Sequence, residues 1–135
     1  MRGKYTMVKH FWISCAHSIP GAGKCERIHG HNYKVTFCVE GFELDEKHML
    51  IDFRQVKHAI EKKYDHHYLN DFPEFDPEQT GVAPSTEKVA EVFFRIIEGL
   101  CRQKSNQPRC KWVEVEETNE AYARFERVDE QEEKS

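Results

Sequence analysis

The chain has 135 residues, a formal net charge of −4, and 33% charged against 39% hydrophobic side chains. That length suits one domain. With no basic excess and no Lys/Arg patch, a nucleic-acid duplex is not an expected partner, and no apolar run reaches membrane-spanning length. So polar a composition fits a small domain with a very polar surface or, better, a subunit that completes its core against copies of itself.

Residues 1–6 carry two charges, Arg2 and Lys4, and no apolar h-region follows, so no secretory signal is expected and the cytoplasm is the expected location. The five cysteines (Cys15, Cys25, Cys38, Cys101, Cys110) are an odd set without a C-x-x-C pair. They argue for reduced thiols rather than a disulfide framework. Four lie in apolar or helical patterns as packing residues; Cys25 does not.

Residues 4–17 predict a strand, with Tyr5, Met7, Phe11, Ile13, Cys15 and His17 sharing one parity. Pro20-Gly21-Ala22-Gly23 marks a loop. A second strand is expected from His31, with Tyr33, Val35, Phe37 and Val39 on one face until Gly41. The polar stretch 42–48 reads as a turn before a short strand at Met49-Leu50-Ile51. Asp52 is placed to cap a helix over 53–66, striped by Phe53, Val56, Ile60 and Tyr64.

The segment 70–84 reads as an ordered loop. Ser85 or Thr86 can cap a second helix whose buried stripe is Val89, Phe93, Ile96 and Leu100. Strands follow at 111–117 (Val113, Val115) and 121–128 (Ala123, Phe125), joined by a hairpin at Thr118-Asn119-Glu120. Residues 129–135 read as a frayed acidic tail. The order ββααββ over a single domain, 1–128, predicts an α+β fold with two helices on one face of an antiparallel sheet.

The strongest chemical signal is Cys25-Glu26-Arg27-Ile28-His29-Gly30-His31. In extended chain, residues i and i+2 project to one side, so His29 and His31 can address one ion. Gly30 between them is expected to relieve crowding of the backbone. His17, on the inward face at the end of the preceding strand, can return to that pair if the two strands are neighbours. Three imidazoles suit Zn2+ and leave a fourth position for water or substrate. The spacing also admits Cys25 as a fourth ligand, which would close the site into a structural one.

Cys25 lies beside Lys24 and Arg27, cations that favour a thiolate. Asp65-His66 can form an oriented acid–imidazole pair if the helix ends near Tyr64, because adjacent helical residues do not face each other. Glu117 shares the inward parity of Val113 and Val115. There its carboxylate either grips a ligand edge with two N–H donors or reaches water at the strand end. Thr86 and Glu87 read by default as a helix cap and a dipole partner.

Taken in order, Ser14-Cys15-Ala16-His17, Cys25-x-x-x-His29-Gly30-His31-Asn32-Tyr33, Ile51-Asp52-Phe53, Asp65-His66-His67-x-Leu69-Asn70, Ser85-Thr86-Glu87 and Val115-x-Glu117-Thr118 resemble the motifs of the 6-pyruvoyl-tetrahydropterin synthase family. The match spans about 5–128. The resemblance implies a tunnelling fold whose sheets close into a barrel in a trimer, two trimers stacking as a hexamer. It implies zinc on His17, His29 and His31, with Cys25, Asp65 and His66 as catalytic residues. Glu117 would anchor the pterin, with Ser85 and Thr86 beside it. The implied substrate is 7,8-dihydroneopterin triphosphate, bound between subunits. The short Cys-x-x-x-His spacing is similar to the queuosine-pathway branch, 6-carboxy-5,6,7,8-tetrahydropterin synthase. Lys88 and Tyr64 depart from the residues usual at those places.

Overall fold

The structure is a computed structural model that describes residues 1–128; the acidic tail lies outside the described residues. Two long strands, β1 (Tyr5–His17) and β2 (His29–Gly41), lead to helix α1 (Phe53–Tyr64). A two-residue strand β3 (His67–Tyr68) and a single helical turn α2 (Pro77–Thr80) precede the long helix α3 (Thr86–Arg102). The hairpin β4 (Arg109–Thr118) and β5 (Ala121–Glu126) completes the chain.

The sheet order is β3-β1-β2-β4-β5. The four long strands are antiparallel neighbours as expected, and β3 adds a parallel edge at Cys15 and Ala16, which makes the sheet mixed. The five strands form an open sheet within one chain.

Alternation along β1 and β2 separates two faces. Phe11, Ile13, Cys15, Tyr33, Val35, Phe37 and Val39 are buried against Val56, Ile60 and Tyr64 of α1 and Val89, Phe93 and Ile97 of α3. Val8 and Trp12 face the other way and are 52% and 58% exposed. Burying each core side chain contributes about 1.5–3 kcal/mol, so the shared inward face holds helices and sheet together.

Asp52 caps α1 by accepting from the Arg54 N–H at 2.9 Å, and Ser85 caps α3 by accepting from the Lys88 N–H at 3.2 Å. Helix α1 ends at Tyr64, two residues short of the expected 66. Its stripe is as expected apart from the half-buried Phe53.

Three local expectations fail. The segment 49–51 is no strand: its backbone is taken up by side chains, Asn106 Nδ2 donating to the Leu50 carbonyl and Asp45 accepting from the Met49 N–H. The buried face of α3 is Val89, Ala90, Phe93, Phe94, Ile97, Glu98 and Cys101, so Ile96 and Leu100 lie at its margin. The helix packs against both β4 and β5, and Phe94 meets Phe125 edge-on at 4.9 Å between centroids. Gly30 is not forced by crowding: a Cβ there would lie 3.7 Å from the Cys15 carbonyl oxygen, an ordinary contact.

Candidate metal centre

The register of the first hairpin decides the site. His17 and His29 are directly opposed cross-strand partners, and His31, opposite Cys15, is two residues along the same face. The three rings therefore meet, with centroids 4.4 Å (His17–His29), 5.1 Å (His17–His31) and 4.8 Å (His29–His31) apart. The loop between them turns through Gly21 and Gly23, both at positive φ (80° and 64°), and a short 3-10 turn, Gly23–Glu26, that carries Cys25.

The fourth group arrives by a bulge. Glu116 pairs with Tyr122 and Thr118 with Ala121, which leaves Glu117 as the extra residue of β4. Such a bulge re-aims a side chain. One potential ligand atom each from His17, His29, His31 and Glu117 lies within 4.8 Å of the others. Cys25 is not in that group.

Two of the imidazoles are fixed through one nitrogen. His17 Nδ1 lies 2.7 Å from the Pro84 carbonyl and His29 Nδ1 2.7 Å from the Arg27 carbonyl. A carbonyl only accepts, so each Nδ1 carries the proton and each Nε2 keeps its lone pair. That is how metal-ligating histidines are oriented. His31 Nε2 is 2.9 Å from Glu117 Oε1, yet it is buried and makes no aligned hydrogen bond. An orphaned ring nitrogen beside a carboxylate is what a shared cation would satisfy.

Burial lowers the pKa of His17, against the raising influence of the Pro84 carbonyl; burial likewise lowers that of His31, against the charge of Glu117. Both shifts favour the neutral, metal-binding form. Beneath the rings, the fully buried Tyr33 hydroxyl sits 3.1 Å from His17 Nδ1.

Glu117 also receives a hydrogen bond from the Thr86 hydroxyl at the head of α3. Its outer side opens on a cleft of about 270 Å³ lined by Thr86, Glu87, Thr118 and Tyr122. Ser85 is engaged as the α3 cap.

The acid–imidazole pair forms as the early end of α1 allows. Asp65 Oδ2 lies 3.0 Å from His66 Nδ1, with His66 at positive φ (61°). Desolvation works to raise the Asp65 pKa, but hydrogen bonds from the Ser14 N–H and from His66 hold the carboxyl below the usual range. His66 and His31 both line a second cleft, about 460 Å³, floored by Ser14, Ala16 and Gly30. The side chain missing at Gly30 keeps that floor low.

Cys25 is half-buried, whereas the other four cysteines are buried and all five are free thiols. Burial pushes the Cys15 and Cys101 thiols up to about 12. Sequence reasoning missed Asn70 as a structural partner of Ser18, and it could not place Glu117 beside the histidines. The first left a signal in the Leu69-Asn70 motif; the second left none, because a bulge has no sequence signature here.

This is a two-layer α+β fold with a His₃–Glu cluster at one end of its sheet. The family model described as 6-pyruvoyl tetrahydropterin synthase matches residues 6–128, and the chain belongs to that family. Among its relatives, the 6-carboxy-5,6,7,8-tetrahydropterin synthase of Bacillus subtilis is 37% identical over 120 residues, 87% of this chain and 82% of that one. The protein of the same name from Synechocystis is 29% identical and covers 90% of this chain and 92% of its own. In fold, the chain is similar to 6-pyruvoyl tetrahydropterin synthase of Caenorhabditis elegans, with a TM-score of 0.71 over 95% of this chain and 99% of the other at 24% identity. Among the described residues no helix is long and apolar enough to cross a membrane.

Proposed function

We propose that the protein is a zinc-dependent 6-carboxy-5,6,7,8-tetrahydropterin synthase. It would convert 7,8-dihydroneopterin triphosphate and one water to 6-carboxytetrahydropterin, acetaldehyde and triphosphate, a step of queuosine (7-deazaguanine) biosynthesis in the cytoplasm. The observation that carries this reading is the convergence of three imidazoles, two with the proton fixed on Nδ1, within 4.8 Å of one another and of Glu117. The 37% identity to the Bacillus subtilis enzyme over most of the chain supports the product branch.

His17, His29 and His31 would hold the metal. A zinc ion bound there supplies Lewis acidity toward hydroxyls of the substrate's side chain, so that neighbouring carbon-bound protons are more easily removed. The Cys25 thiolate takes such a proton on one side, and the His66 imidazole, oriented by Asp65, moves a proton on the other. Glu117, held by the Thr86 hydroxyl, turns to the 2-amino and ring N–H edge of the pterin, with Ser85 at the same helix start. That grip fixes which carbon meets the proton-moving groups.

The open sheet and the exposed dyad fit a homo-oligomer, a trimer or hexamer whose sheets close into a barrel, with the site shared between subunits. Incubation with 7,8-dihydroneopterin triphosphate tests the reading. Acetaldehyde and 6-carboxytetrahydropterin are the expected products; a retained three-carbon side chain would instead assign the 6-pyruvoyl branch. Cys25→Ala should keep its zinc and lose turnover. Loss of zinc and fold together would make the site structural and the protein a zinc-stabilised binding subunit.

A further inference from the structure

The segment that carries the acid–imidazole pair runs on along the free edge of β1 and holds it at three levels. At the first, the Ser14 N–H donates to Asp65 Oδ1 at 2.9 Å and the His66 N–H to the Ser14 carbonyl at 2.6 Å. At the second, His67 and Tyr68 pair with Cys15 and Ala16 as β3. At the third, beyond the end of the ladder, a side chain replaces the backbone. The Ser18 N–H donates to Asn70 Oδ1 at 3.0 Å, and Asn70 Nδ2 donates to the Ser18 carbonyl at 2.9 Å. The Ser18 and Tyr68 hydroxyls add a contact at 2.7 Å.

Ser18 is the pivot of the loop that carries the thiol. Immediately after it, the Ile19 N–H donates to the Cys25 carbonyl at 2.6 Å, and the loop closes on itself through Ala22 N–H to Ile19 O and Cys25 N–H to Ala22 O, both 3.2 Å. Asn70 thus fixes a residue whose neighbour is bonded to the backbone of Cys25. A primary amide presents a donor and an acceptor side by side, which is what a strand backbone edge requires. Aspartate supplies only acceptors, and alanine supplies neither.

We infer that Asn70 is a positioning residue for Cys25: its amide extends the β1–β3 ladder by one rung and so sets the height of the thiol loop over the site. The inference rests on the role proposed for Cys25, but the clamp itself can be read without turnover. Among the described residues the Asn70 amide bonds to Ser18 and to no member of the His₃–Glu cluster, so its loss is expected to disturb the loop and to spare the metal.

The test compares wild type with Asn70→Ala in the full-length protein. Hydrogen exchange reads the Ile19 amide, expected to lose protection about tenfold as the loop opens locally. Iodoacetamide labelling with mass mapping reads Cys25, the one cysteine that is not buried. Its rate is expected to rise about fivefold as access improves. Bound zinc is expected to stay level, while kcat falls about tenfold with KM within about twofold, the signature of a misplaced reacting group.

Unchanged Ile19 protection and unchanged Cys25 labelling would overturn the inference whatever the turnover. Concurrent loss of zinc would also overturn it, because Asn70 would then support the whole site. Should Asn70→Ala fail to fold, Asn70→Asp, which keeps the acceptor for the Ser18 N–H, is expected to give the same changes at smaller size; wild-type behaviour in it would overturn the clamp. A wild type without turnover would remove the proposed function and leave exchange and labelling to decide the clamp on their own.

Discussion

The two ends of the candidate site are built to different standards of rigidity. At the His₃–Glu end, His17 is fully buried, two rings are pinned by backbone carbonyls, and three elements converge on one point. At the other end, the His66 side chain is 79% exposed and sits on a residue in the left-handed region, fixed through the backbone and one carboxylate. Holding a cation demands ligands that do not move, since each misplaced lone pair costs affinity. Moving a proton demands access to the reacting molecule. The His₃–Glu end is assembled from elements of one chain, while the other end leaves His66 on an open face.

The sharpest break of this contrast is His29→Ala. It removes one of the three imidazoles, and both bound zinc, read by elemental analysis, and turnover are expected to fall to background. His66→Ala acts on the exposed end alone. Zinc should remain, the melting temperature should move little, and kcat should fall about 10²–10⁴-fold, the usual worth of a general acid or base. Zinc loss in that variant would erase the distinction between the two ends.

Glu117→Gln tests the seam between them. If the carboxylate serves the pterin, zinc content holds and KM rises by about tenfold or more, because one hydrogen bond to a charged partner is worth about 1.5–3 kcal/mol. If zinc leaves with the charge, Glu117 is instead a resident ligand of the metal.

The smallest effect is one of pH. His17 and His31 have pKa values depressed mainly by burial, so the unfolded chain binds more protons than the folded one below the ordinary histidine value near 6.5. The stability of the metal-free protein should be level above that value and decline as pH falls toward 5. Denaturant titration across pH 5–8 checks this, and a flat profile would contradict the burial of these rings.

The elements that alternate strongly were legible from the chain. Phe11-x-Ile13-x-Cys15-x-His17 and Tyr33-x-Val35-x-Phe37-x-Val39 gave both faces of the first hairpin, because side-chain direction in a strand has period two. Helix α3 was found with Val89 and Phe93 buried as expected, but with Ile97 and Cys101 in the places given to Ile96 and Leu100. A helix covered by two strands and a buried Glu98 paired to Arg109 has a wider face than a three-and-four pattern marks. Strand β3 is two residues long and carries no periodicity. The apolar Met49-Leu50-Ile51 resembled a strand, but its polar partners, Asp45 and Asn106, come from side chains rather than from a neighbouring strand.

The chain's own order of residues settled which groups could act: three histidines on one parity, a lone loop cysteine, an acid beside a histidine, and a carboxylate at a strand end. Those are local facts, carried by residue identity and by the fixed geometry of extended and helical backbone. That His17 faces His29 across the hairpin, that a bulge swings Glu117 toward them, and that Asn70 grips Ser18 were decided only when distant segments packed. Pairing register and side-chain reach depend on atoms as many as 52 residues apart in the case of Asn70 and Ser18, and no local pattern encodes such a separation.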